Sequence, residues 1–271
     1  MFAKLLKYEW RSTKGFAWLM FLISLSAAVV GGLTTQYLFR ISQSQDQQPV
    51  LTVLVLLMFM AAMVALLICA AATLFFTFWR FYRSRFTQEG YLTFTLPVTS
   101  HQILLSSIVN CLLGALCALG TLLVSYLLMG LITLSAMPGF FAARWEILEA
   151  LFKGASWLFT GENAPLFWQM LSQLLLGAVF EIPVIMLAIT LGALLAKKHK
   201  AILGVVAYYI IQVAQLLITG VVMGVTTNSI TQAASYRVTL AFDFSPLLTI
   251  AVGVGSYFLM HYLVSRKLNL A

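Results

Sequence analysis

Six long stretches of this chain hold almost nothing but apolar residues, and that pattern limits the folds open to it. They run over about 16–38, 51–79, 103–134, 166–195, 202–225 and 246–264. A bilayer core of about 30 Å needs roughly 20 apolar residues in a helix. The runs are continuously apolar, whereas the wall of a membrane barrel alternates between lipid-facing and lumen-facing residues. Hydrocarbon offers no water to an open sheet edge, which leaves helices as the way across. Composition agrees: 62% of the 271 residues are hydrophobic and 9% are charged, against roughly 45–50% and about 25% in soluble domains. So little charge cannot solvate a soluble surface. The chain reads as an all-α integral membrane protein, a single transmembrane domain over 1–271 with six spanning helices. Runs two, three and four exceed the minimum length and are expected to tilt or project from the membrane.

Orientation follows from the basic residues. With the N-terminus inside, Lys4, Lys7, Arg11, Lys14, Arg80, Arg83, Arg85, Lys197, Lys198, Lys200, Arg266 and Lys267 are cytoplasmic, and Arg40, Arg144, Lys153 and Arg237 are external. Twelve against four is the bias that the positive-inside rule describes, and it places both termini in the cytoplasm. Asp46, Glu146, Glu149, Glu162 and Asp243 then lie outside. The net charge of +8 reads as topology and contact with anionic lipid, not as nucleic-acid binding.

The N-terminus is amphipathic. Phe2, Leu5, Leu6 and Trp10 share one helical face, and Lys4, Lys7, Arg11 and Lys14 share the opposite one. This predicts an interfacial elbow helix over 1–14, with Trp10 at headgroup level. Glu9 falls within the apolar face, where an unpaired carboxylate is costly, so it is expected to meet a protein partner. A cleaved signal peptide ending near Ser26, Ala27 and Ala28 is the competing reading. The apolar run continues past that site, which favours a retained helix.

Chemistry-bearing residues are few. Cys69, Cys111 and Cys117 lie inside apolar runs without metal-ligand spacing and read as small buried hydrophobes. His101, His199 and His261 fall near ends of spans, far apart in sequence. No phosphate-cradling Gly-x-x-x-x-Gly-Lys-Ser/Thr loop, His-Glu-x-x-His pattern or Gly-x-Ser-x-Gly elbow occurs. The chain is therefore expected not to be an enzyme and to hold no metal or cofactor of its own.

Glu181 is the most informative residue within the spans. It lies midway along the fourth run, and an ionised group at that depth costs about 2.5–3.5 kcal/mol on insertion scales. Pro183 follows and removes a backbone donor, which permits a kink. Gln169, Gln173, Gly177, Glu181, Ala188 and Gly192 recur at spacings compatible with one face. That face either lines a substrate path, with Glu181 responding to its charge, or presents a protonated carboxyl to a neighbouring helix. In the fifth run Tyr208, Gln212, Gln215 and Thr219 form a second polar stripe, suited to a dimer interface or a wet cavity. Ser106, Asn110, Gly114, Ala118, Thr121 and Ser125 form a small-residue stripe in the third run, read as a packing face.

Two segments outside the spans stand out. Between runs three and four, Trp145, Leu148, Leu151 and Phe152 share a face opposed to Arg144, Glu146 and Lys153, which predicts a short amphipathic helix at the outer surface or a lid. Between runs two and three the chain reads Arg80 to His101. Gly90 and Pro97 interrupt it, Ser100 is placed to cap the third span, and Tyr91, Leu92, Phe94 and Leu96 call for burial. Such a segment lies on the lipid surface or docks a cytoplasmic protein.

The pattern Glu-Gly-Tyr-Leu-Thr-Phe-Thr-Leu-Pro-Val-Thr over Glu89 to Thr99, with Leu6-Lys-Tyr-Glu-Trp10 near the start, resembles permease subunits of type-2 ATP-binding-cassette exporters, the Gram-positive bacterial type. The resemblance implies a cytoplasmic coupling helix between helices 2 and 3. Gln88, Glu89, Gly90, Tyr91, Leu92, Thr93 and Phe94 would insert into a cleft on a separate ATPase, which would bind the ATP and magnesium. It also implies an elbow contact at Glu9, a second permease chain (identical or a paralogue) and a bacterial cytoplasmic membrane. Glu181, Pro183, Gln173, Gln212 and Gln215 are the candidates for translocation or gating, and an amphipathic or antimicrobial peptide is the expected cargo. The alternative function is a secondary transporter or channel using Glu181 as an intramembrane proton or ligand site.

The topology has a direct test. In a background lacking the three native cysteines, Asn163→Cys should react with a membrane-impermeant maleimide from outside the cell, and Lys198→Cys only after permeabilisation. The reverse pattern would overturn the orientation.

Overall fold

A computed structural model describes residues 2–43, 49–86, 99–135, 144–160, 164–195, 200–229 and 234–267. Among them only Thr99 and Ser135 lie outside a helix. The described helices are α1 (Phe2–Gln43), α2 (Pro49–Phe86), α3 (Ser100–Leu134), α4 (Arg144–Thr160), α5 (Ala164–Leu195), α6 (Lys200–Ser229) and α7 (Ala234–Lys267). All but α4 contain a stretch long and apolar enough to cross a membrane, and these six stretches coincide with the six runs read from sequence. Large apolar side chains such as Leu57, Leu127 and Leu216 are exposed along them. Such surfaces suit lipid, where burial within the protein is not required for a Leu.

Helix boundaries refine the sequence reading in three places. Residues 2–14 are the opening turns of α1, whose hydrogen-bonded helix continues through Gly15 without interruption, so no break separates an elbow from the span. The amphipathic pattern itself is present. Phe2, Leu5, Leu6, Glu9 and Trp10 are half-buried, and Lys4, Lys7, Arg11 and Lys14 are exposed. At the start of α3 the cap is Thr99 and not Ser100: Thr99 Oγ1 accepts from the Gln102 amide at 3.4 Å, and its carbonyl accepts from the Ile103 amide at 3.2 Å. Ser100 already has helical geometry, and the capping residue stands just before the first helical one. Finally, α6 runs on to Ser229 and α7 starts at Ala234, so most of the stretch read as a final loop is helical backbone, with Pro246 inside α7. Pro49 opens α2, a position where its missing N–H costs nothing.

The described contacts fall into two compact units. One comprises Lys7–Thr77 and Leu113–Gly161. Its helices approach closely at small residues. A Cβ on Gly32 would lie 2.8 Å from Ile132 Cβ, one on Gly31 3.0 Å from Met129 Sδ, and one on Gly114 2.6 Å from Thr77 Oγ1. Thr35 and Thr133 join α1 to α3 through their hydroxyls at 2.6 Å, and Phe16 stacks on Phe76 with centroids 4.1 Å apart. Helix α3 contributes to both units, and Ser106 and Asn110 in its first part, with Ala118, Thr121 and Ser125 in its second, are all buried, as expected of a packing stripe.

The other unit comprises Met1–Leu6, Phe78–Leu112 and Glu162–Ala271. Here α5 packs against both α6 and α7. Its core joins Phe81, Leu104 and Cys111 to Ile182, Met186 and Leu187 of α5 and to Met260, Leu263 and Val264 of α7. Two glycines set how near the helices come. A Cβ on Gly192 would lie 2.5 Å from both the Lys200 carbonyl and the Gly204 amide nitrogen, so α5 and α6 touch backbone to backbone. A Cβ on Gly253 of α7 would lie 2.7 Å from Phe180 Cβ, beside the midpoint of α5. Small residues serve this purpose in membrane helices, where dispersion and polar contacts replace the hydrophobic effect.

The α5–α6 crossing makes an asymmetric prediction. Gly192→Ala must push backbone away and should destabilise by about 1–3 kcal/mol. At Gly204 the nearest atom to an added Cβ is the Ala188 carbonyl oxygen at 3.4 Å. There Gly204→Ala should be neutral, or gain some of the ~1 kcal/mol by which Ala favours a helix over Gly. Unfolding of both variants in mixed micelles would show the difference; equal effects would remove Gly192 as the contact point.

Candidate functional site

Polar groups within an apolar helix bond locally where they can. Along the spans, hydroxyls donate back to the carbonyl three or four residues earlier, as Thr34 does to Gly31 at 2.8 Å, Thr73 to Cys69 at 2.8 Å and Thr190 to Met186 at 2.8 Å. A carboxyl has no such local solution. Midway along α5, Glu181 is met instead by α6: Tyr208 donates its hydroxyl to Glu181 Oε1 at 2.9 Å, and the Gln212 side-chain amide donates to the same oxygen. The two donors stand four residues apart and so share one face of α6, as the helical period requires. Tyr208, Ile211, Gln212, Gln215 and Thr219 are half-buried, while Tyr209, Ile210, Val213, Leu216 and Leu217 between them are exposed.

The α5 face read as one stripe from sequence divides into two. Ala188 and Gly192 are closed by the backbone of α6 around Gly204. At Gly177, one turn before Glu181, an added Cβ would meet nothing within 4 Å. Glu181 therefore stands where tight α5–α6 packing gives way to open space. Pro183 is buried in the packed half, within a helix that continues through it, so the proline does not end α5. Gln173, about two turns before Glu181, is half-buried on the open half. Gln215 is half-buried one turn beyond Gln212, and its carbonyl accepts from Thr219 Oγ1 at 2.9 Å. Of the proposed translocation residues, Glu181 and Gln212 are thus brought together directly, and Gln173, Pro183 and Gln215 flank them.

The remaining sequence candidates are placed elsewhere. Gln88, Glu89, Gly90, Tyr91, Leu92, Thr93 and Phe94 lie outside the described residues. Glu9 is half-buried in α1, and its carbonyl accepts from Ser12 Oγ at 2.8 Å. The amphipathic helix expected between the third and fourth spans is α4, where Glu149 and Lys153 pair at 2.8 Å and Trp145 and Phe152 are exposed.

Two clusters escaped the sequence reading. Arg85, counted there only as a positive charge, is 2% exposed, and its Nη2 donates to Ser107 Oγ at 2.9 Å and to the Ile103 carbonyl at 3.4 Å. His101 and His261 stack with centroids 3.7 Å apart and planes 10° from parallel, and His101 Nδ1 lies 3.0 Å from the Tyr257 hydroxyl. Nothing in the spacing of residues so far apart announces either cluster. Parallel rings direct their in-plane lone pairs side by side, which does not converge two nitrogens on one metal ion. Among the described residues no group of three or more His, Cys, Asp or Glu could hold one.

With this geometry in view, comparison with known proteins gives no relative: no family model, curated protein or solved structure matches the chain.

Glu181 Oε1 thus accepts two hydrogen bonds across a helix interface. Interhelical hydrogen bonds in membranes average about 0.6 kcal/mol. Tyr208→Phe should therefore cost about that much stability, and Glu181→Gln, which keeps an acceptor oxygen, should leave the fold intact. Glu181→Leu strands both donors and should cost about 1–3 kcal/mol. Unfolding midpoints in mixed micelles would rank the three; a harmless Glu181→Leu would show that the bonds do not matter to packing.

Proposed function

We propose that this chain is the membrane-spanning permease subunit of an ATP-driven exporter of the type-2 ATP-binding-cassette kind. The observation that carries the reading is the pattern from Glu89 to Thr99, set between two overlong helices. At 1.5 Å per residue, α2 and α3, with 38 and 35 residues, extend roughly 57 and 52 Å, against a hydrocarbon core of about 30 Å. Helices of that length can carry the segment between them past the headgroups, where a soluble partner can reach it. Arg80 and Arg83 near the end of α2 suit the cytoplasmic face.

In this reading both termini lie in the cytoplasm of a bacterium, and two permease chains, identical or paralogous, form the path. Separate ATPase subunits bind ATP and magnesium and close on the segment 88–94, and that closure switches the path between inward-open and outward-open arrangements. The polar groups of α5 and α6 line part of the path, and an amphipathic peptide is the favoured cargo. A second reading, a secondary transporter or channel, is favoured by the Glu181–Tyr208–Gln212 cluster alone, because ionisable residues held inside a membrane commonly mark ion paths.

Purification in mild detergent from native membranes separates the two. The exporter reading expects a nucleotide-binding ATPase to copurify. Glu89→Ala or Gly90→Pro should weaken that association or uncouple ATP hydrolysis from transport by about tenfold or more, with membrane insertion unchanged. A chain recovered only with itself, under conditions that preserve other such complexes, would leave the secondary transporter as the better reading.

A further inference from the structure

We infer that Glu181 is a binding site for a membrane-soluble organic cation, held between the carboxyl and the open notch at Gly177. This deepens the permease reading, on which its meaning as a cargo site rests, by naming the chemistry of what binds.

Three observations lead there. Glu181 has two neutral donors on one oxygen, and neither donor reaches Oε2. Among the described residues no Lys, Arg or His makes an ion pair with it. An acid at this depth is normally paired, because removing a charge from water without a partner is costly. The described residues thus supply an acceptor and orient it, and none of them supplies the opposite charge. The second observation is space. Gly177 lies on the same face one turn away, with nothing within 4 Å of where a Cβ would stand, while the next turns on the other side of Glu181 are closed by Gly204 and Lys200 of α6. Among these positions, the open one lies toward the start of α5 from the carboxyl and the closed ones lie toward its end.

The third observation is the character of the walls. Leu174, two turns before Glu181 on the same face of α5, is exposed, and so is Tyr209, next to Tyr208 on α6. Among the described residues, a ligand approaching Glu181 from the bilayer would pass apolar side chains such as Leu174 and find polar groups at the carboxyl, at Gln173 and at the Tyr208–Gln212 pair. This suits a cation with a large apolar body, since the apolar part carries it into the bilayer and the charge fixes it at Glu181. An anion of the same shape would meet the carboxylate and be repelled. A small hydrated cation such as sodium would need more oxygen ligands than the cluster offers.

The test compares two probes of nearly equal size and hydrophobicity but opposite charge, tetraphenylphosphonium and tetraphenylborate. Binding of each is measured to the purified chain in lipid nanodiscs, after subtraction of empty nanodiscs. The inference expects saturable phosphonium binding and none for the borate. Glu181→Gln should weaken the phosphonium at least tenfold. Gly177→Leu, which fills the notch and leaves the carboxyl in place, should weaken it comparably, so the site remains testable if the first variant assembles poorly. No saturable phosphonium binding, equal binding of the borate, or full affinity in both variants would overturn it. No ATPase is present in this measurement. Cation binding by a chain that recruits no ATPase would therefore sink the exporter reading and leave the site standing, and a copurifying ATPase without cation binding would do the opposite.

Discussion

A bilayer offers no water to a polar group, and nearly every feature of this chain answers to that shortage. Backbone amides and carbonyls must pair within their own segment, so the described chain is helix almost without exception. Hydroxyls fold back on the carbonyls of the preceding turn. Threonines 35 and 133 bond each other between helices. Glu181, which has no local remedy, is met by two donors from α6.

The same shortage of water removes the hydrophobic effect as a force between spans, because lipid is as apolar as the side chains. Helices then associate through close approach, and close approach needs small residues. Gly192 against the α6 backbone, Gly253 against Phe180, and Gly31 and Gly32 against Met129 and Ile132 are the places where this occurs. The close approach stops midway along α5. On α5 the packed half ends at Glu181 and the open half begins at Gly177, so one carboxyl is both a packing element and the edge of accessible space.

The fold was legible in the sequence to a large degree. Six apolar runs of sufficient length coincide with six spanning helices, and the stripe from Ser106 to Ser125 is buried as a packing face should be. The Tyr208–Gln212 stripe was visible too, since hydrophilic residues at helical spacing in an apolar run stand out. What faced that stripe was not. The face from Gln169 to Gly192 had one periodicity but two fates, because periodicity places residues on a face without saying which neighbour covers each turn. The cap of α3 slipped by one residue to Thr99, since Thr-Ser offers two adjacent hydroxyls and only backbone geometry chooses between them. Arg85 looked like one more cytoplasmic charge and is buried against α3.

The sequence by itself determined the class of this protein, the number of its spans and the chemistry available inside them. Those properties depend on hydrophobic length and on composition, which are local. The tertiary structure alone decided that Glu181 bonds to Tyr208 and Gln212, that Gly192 is closed while Gly177 is open, and that His101 stacks on His261. Each of these depends on the rotation of one helix about its axis relative to another. That angle is set by the sum of many small packing contacts between segments distant in the chain, and no single residue or spacing records it.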